Sequence, residues 1–175
     1  MRWLPFQLNP DLPAEGMPRQ AYIERKFGPG HSHSYARVAG VGREVGIDFA
    51  FDQIKVQPNT LHAHRLMLYG AEQGREDEVA ENLFRAYFLE GTNLTDEAAL
   101  ADVGERAGLD RVALAAYLAS GDGREDVLRA DREARQAGIN GVPFFMFNRR
   151  TAVSGAQGPE TLLQGMLDAR SREGE

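Results

Sequence analysis

Val142-Pro143 stands where a helix should end and an apolar run begins, in the stretch Gly138-Ile139-Asn140-Gly141-Val142-Pro143-Phe144-Phe145-Met146-Phe147. Gly138 reads as a helix stop, Asn140-Gly141 as a tight turn, and residues 144–147 as a run short enough for a buried strand. Proline has no N–H, so it suits the opening of a strand, and an X-Pro bond is the one that becomes cis at modest cost. A corner of this kind exposes the backbone of the preceding residue for pairing with an extended ligand. Val142 and Pro143 are therefore the candidate substrate-binding residues, and the chemistry they offer is main-chain recognition.

No catalytic group is evident beside them. The sequence has no cysteine, which excludes disulfides, thiolate metal sites and cysteine nucleophiles within it. His31 and His33 are two residues apart, as are His62 and His64, and that spacing puts neither pair on one helical face. With no His-x-x-x-His spacing, no metal site is expected. His64 is expected in a polar contact shared with Asn59 or Arg65. Glu76, Asp77, Glu78 and Glu81 gather at a helix start, where they favour the macrodipole and stay solvated. Ser154 lies in Val-Ser-Gly-Ala, outside a Gly-x-Ser-x-Gly elbow. Phe144, Phe145 and Phe147 read as core. Neither a catalytic residue nor a cofactor is assigned.

The elements that position this corner are mostly helices. Trp3-Leu4-Pro5-Phe6 is strand-like, and a Pro- and Asp-rich loop follows. Helices are expected over residues 18–27, 32–44, 58–73 and 76–89, with a short strand at 49–51. The clearest amphipathic segment sets Val79, Leu83 and Tyr87 beside Ala80, Phe84 and Phe88. Thr95 or Asp96 caps the next helix, Asp110 starts one carrying Val112, Ala115, Ala116 and Leu118, and a charged helix covers 124–137. After the corner come strand 144–147, a turn at Asn148-Arg149-Arg150 and strand 151–154. Gly155, Ala156 and Gln157 form a loop, and Pro159 opens a last helix whose buried stripe is Leu162, Leu163, Met166 and Leu167.

The 175 residues, 42% apolar and 26% charged, suit one globular domain with a subdomain. A net charge of -6 disfavours nucleic acid and anionic membrane as partners. No apolar stretch approaches the ~20 residues of a membrane span. Pro5, Gln7, Asn9, Pro10 and Asp11 interrupt any signal-peptide core, so cytoplasmic residence is expected.

The order strand, helical block, helix, hairpin, helix resembles the C-terminal half of a thioredoxin fold with helices inserted ahead of it. Gly141-Val142-Pro143-Phe144-Phe145, Val153-Ser154-Gly155-Ala156-Gln157 and Pro159-Glu160 resemble the DsbA-like thioredoxin-domain family, and within it the FrnE-type subgroup. Trp3-Leu4-Pro5-Phe6-Gln7-Leu8-Asn9-Pro10, Asn59-Thr60 with Ala63-His64-Arg65, and Leu83-Phe84-Arg85-Ala86-Tyr87-Phe88 agree with that subgroup. The resemblance implies an α/β, thioredoxin-like fold with a large all-helical insertion. Residues 1–57 and 138–175 would form the thioredoxin-like part and 58–137 the insertion.

Family members begin with a strand and a helix that carries Cys-x-x-Cys or a related motif. Here the sequence opens at what resembles the second strand, so the first strand and first helix are expected to be missing, through truncation or an internal start. Arg149 also departs from the pattern, because glycine fits a tight hairpin turn more easily. The resemblance implies a thiol-disulfide oxidoreductase or isomerase acting on protein disulfides, inactive as given, with the Val142 backbone pairing with substrate and Gly155, Ala156 and Gln157 either lining the cleft edge or capping the last helix. Partners would be proteins or peptides bearing thiols or disulfides, and a homodimer sharing strands is possible. Two other readings stay open. One is a glutathione-dependent enzyme like the kappa-class transferases or 2-hydroxychromene-2-carboxylate isomerases. The other is a noncatalytic, peptide-binding remnant.

Overall fold

Nine glycines with positive φ and two aspartate caps punctuate the chain into helices, seen in a computed structural model that describes residues 1–28 and 35–171. His31, His33 and Ser32 lie outside the described residues. The chain forms two units, Met1–Leu128 and Arg129–Glu175.

In the first unit the expected strand at Trp3-Leu4-Pro5-Phe6 is absent. Strand identity requires a ladder partner, and this segment is held by other means. The Trp3 N–H donates to Glu76 Oε1 at 2.9 Å and its indole N–H to Asp77 Oδ1 at 2.7 Å. A two-residue ladder appears instead: β1 (Met17–Pro18) runs antiparallel to β2 (Val56–Gln57), with Met17 opposite Gln57. Helix α1 (Arg19–Phe27) follows β1, and α2 (Ala36–Glu44) comes next. The strand expected at 49–51 is also absent. Phe49 and Phe51 stack at 4.9 Å between ring centroids, and the Ala50 N–H donates to the Phe88 carbonyl at 2.8 Å. Apolar aromatics there serve ring packing.

The rest of this unit is the helical block α3 (Leu61–Glu72), α4 (Glu76–Phe88), α5 (Glu97–Arg106) and α6 (Arg111–Ala119), and the division between units falls within α7 (Arg124–Gln136). Asp96 caps α5 by accepting from Ala98 and Ala99, and Asp110 caps α6 by accepting from Ala113 at 2.7 Å. Leu66, Val79, Leu100, Val103 and Leu114 are fully buried and tie α3 to α6 in one core. Val112, expected on the apolar stripe of α6, is exposed. The helix buries Leu114 and Leu118, one turn apart on the opposite side. Phe84 on α4 is likewise half exposed. No helix among the described residues is long and apolar enough to cross a membrane.

The second unit is a hairpin backed by one helix. Strand β3 (Phe144–Phe147) pairs antiparallel with β4 (Thr151–Ser154), and α8 (Pro159–Ser171) packs on both. Asn148 and Arg149, with φ of 51° and 56°, form the tight turn, closed by the Arg150 N–H donating to Phe147 O at 3.0 Å. A left-handed conformation costs an L-residue more than glycine. R149G is therefore expected to stabilise the hairpin by about 0.5–1 kcal/mol. Urea unfolding measures this, and an unchanged or lower midpoint would count against the turn as a source of strain.

The stripe expected on α8 is corrected by the structure. Leu163, Met166 and Leu167 are exposed, Leu162 is half buried, and Gly165 and Ala169 are the buried positions. A Cβ on Gly165 would lie 3.0 Å from both the Phe147 ring and Val153 Cγ2. The helix meets its hairpin through its small residues because the aromatic side chains of the hairpin already fill the space.

Candidate functional site

Helix α7 ends at Gly138 (φ 83°), where the Gly138 N–H donates to Arg135 O and the Ile139 N–H to Ala134 O, both at 3.0 Å. The Asn140 side chain then donates to the Gly138 carbonyl at 3.1 Å. Three residues later the Val142–Pro143 bond is cis. The sequence thus aims the chain from a glycine stop into β3 within five residues. Val142 and Pro143 are both exposed.

Register decides what this corner can do. The Gly155 N–H donates to Pro143 O at 2.8 Å, and Phe145 lies opposite Val153. In an antiparallel pair the backbone groups point alternately toward and away from the partner strand. Residues 143, 145 and 147 therefore turn their polar groups to β4, whereas 142, 144 and 146 turn theirs the other way. Each sheet among the described residues has two strands, so β3 has β4 as its strand partner and a second edge that carries these groups. Val142, at the end of that edge, makes no backbone hydrogen bond to another described residue. An extended chain laid along it would find alternating donors and acceptors. Gln157 stays local, its Nε2 donating to Ser154 O at 3.0 Å.

Asn59 and Arg65 of the Asn59-Thr60 and Ala63-His64-Arg65 signature do structural work. Asn59 donates to Leu12 O at 2.7 Å and accepts from the Leu61 N–H at 3.0 Å, opening α3 and pinning the N-terminal loop. Arg65, almost fully buried, donates to the carbonyls of Tyr117, Leu118, Ser120 and Asp122 at 2.6–2.9 Å, and its guanidinium lies over the Tyr117 ring. It closes the C-terminus of α6, where a cation is favoured.

The fifth bond of Arg65 goes to His62 Nδ1 at 3.2 Å, so that nitrogen is an acceptor and the ring is neutral. Glu97 also approaches Nδ1 at 3.7 Å and favours protonation, but burial and Arg65, with Arg124 adding to them, hold the ring below the ordinary 6.5. The unfolded chain then binds a proton at His62 more readily than the folded one. This contribution to stability is complete above about pH 6.5 and is lost as pH falls through the folded value. The melting temperature should drop more steeply from about pH 7.5 to about 5.5 in the wild type than in H62Q. Parallel slopes would remove His62 from the account. Among the described residues no group of His, Asp and Glu is placed to hold a metal ion.

Residues 1–166 match the family model of the DSBA-like thioredoxin domain. The chain belongs to the DsbA-like thioredoxin-domain family. A crystal structure of a probable DsbA oxidoreductase from Streptomyces coelicolor has a TM-score of 0.86 to this DsbA-like chain at 27% identity, covering 95% of this chain and 73% of the other. The protein YwbO of Bacillus subtilis is 22% identical over 178 residues, covering 99% of this chain and 84% of YwbO. The fold is the thioredoxin-like α/β fold of DsbA-like proteins with a helical insertion, and the family is of the disulfide-oxidoreductase type. This DsbA-like chain contains no cysteine, so no thiolate can form on its residues.

Proposed function

We propose that this chain supplies the scaffold and substrate-docking edge of a thiol-disulfide oxidoreductase of the FrnE-like kind that acts on protein disulfides. Residues 58–137 form the helical insertion, and 1–57 with 138–175 the thioredoxin-like part. The observation that carries the reading is the backbone of Val142, exposed at the Pro143 corner and turned away from β4 by the register of the hairpin. A substrate peptide adds as an extended strand there, with the main chain giving affinity. Its partners are proteins or peptides bearing thiols or disulfides, met in the cytoplasm.

Dithiol exchange needs a thiolate that attacks one sulfur of a disulfide and releases the other. With no cysteine in the sequence, these residues alone are inert in that reaction, and this favours the noncatalytic peptide-binding module as the second reading. Titrating an extended, thiol-bearing peptide into ¹⁵N-labelled protein tests docking, and a coupled disulfide-reduction assay tests turnover. Docking predicts saturable shifts at Val142 and Phe144 with no turnover above the uncatalysed rate. Saturable shifts confined to other residues would overturn the edge, and turnover would overturn the inertness. Glutathione in place of the peptide separates out the glutathione-dependent alternative.

A further inference from the structure

The first unit holds a cavity whose reading is independent of the one above. Its volume is about 550 Å³, within the range of small-molecule sites, and it is lined by α1, α2 and residues 49–55. Its walls include Ile23, Tyr35, Phe49, Phe51 and Ile54, and its buried charged member is Arg19, with Gln20, Asp52 and Lys55 exposed around it.

Arg19 is only 7% exposed, yet its partners among the described residues are neutral. Nη1 donates to Gln57 Oε1 at 2.6 Å and to the Tyr87 hydroxyl at 2.9 Å, and the guanidinium lies 4.7 Å from the Tyr35 ring centroid. Burial lifts the Tyr87 hydroxyl to about 12 despite Arg19, so it offers no negative charge. Asp52 and Lys55 line the rim, both exposed, and the Lys55 ammonium donates to the Asp52 main-chain carbonyl. Among the described residues Arg19 forms no ion pair, and its Nε and Nη2 donate to no protein acceptor. The cavity is the space that Arg19 lines.

A buried cation without an anion is costly, and one carboxylate would remove that cost. Nε–H and Nη2–H are the side-on pair of the guanidinium fork, parallel and spaced for the two oxygens of a carboxylate. The stacked Phe49 and Phe51 rings with Ile23 and Ile54 suit an apolar, aromatic body. We propose that this cavity binds a small aromatic carboxylic acid, its carboxylate held by Arg19 and its ring against Phe49 and Phe51.

Indole-3-acetate is the probe and the uncharged indole-3-acetamide its control, each titrated into ¹⁵N-labelled protein with the Arg19 Nε–H resonance observed. The acid should bind at least about tenfold more tightly than the amide and shift that resonance, and R19Q should abolish the preference. Equal affinities, no saturable binding of the acid, or shifts mapping elsewhere would overturn the proposal. Should R19Q fail to fold, A39W, which fills the cavity from α2 and keeps Arg19, decides: lost acid binding supports the site and retained binding overturns it.

Discussion

R65M is expected to destabilise the protein by about 3–5 kcal/mol. Methionine keeps most of the stem volume but strands four carbonyls at the end of α6 that Arg65 now satisfies, as well as the His62 nitrogen. A buried acceptor that loses its donor keeps its full desolvation cost, which exceeds what a made bond contributes. In urea unfolding the midpoint should fall at nearly constant slope. R65K should recover only a minority of the loss, because an ammonium has three donors and no plane to lie on Tyr117. A loss under about 1 kcal/mol in R65M would show that water replaces the arginine without penalty.

G16A is the second large effect, expected to cost about 3 kcal/mol. Gly16 has φ of 76°, and an added Cβ would lie 2.5 Å from the Gln57 carbonyl oxygen and 2.9 Å from Val56 Cγ1. The first clash is with backbone, so relief requires moving β2 away from β1. Gly46 provides the control: its φ of 80° is similar, but no atom lies within 4 Å of its Cβ position. G46A should therefore cost only the left-handed penalty, about 1 kcal/mol. The difference between the two variants isolates the contact, and equal losses would mean that the β1–β2 pair yields freely.

The helices were legible because their signals are local. Asp96 and Asp110 caps, glycine stops and the Val79, Leu83, Tyr87 spacing each act within one or two turns. Trp3-Leu4-Pro5-Phe6 and residues 49–51 misled because apolar composition marks burial, whereas a strand needs a ladder partner that composition does not reveal. The α8 stripe misled differently: periodicity found the large apolar residues, but Gly165 and Ala169 take the face that the hairpin leaves room for. At the site, Val142 and Pro143 stood out because proline and glycine constrain their own backbone. Arg19 gave no signal of its own, since its partners Gln57 and Tyr87 lie 38 and 68 residues away.

Four of the five bonds that Arg65 makes end on main-chain oxygen. Every amino acid carries that same oxygen, so side-chain changes at Ser120 and Asp122 leave these acceptors in place, while position 65 cannot change without losing them all. In evolutionary terms the clasp is one-sided. Related sequences should keep an arginine at this position with few correlated changes elsewhere, and methods that find contacts from paired substitutions would overlook one of the tightest junctions in the helical block.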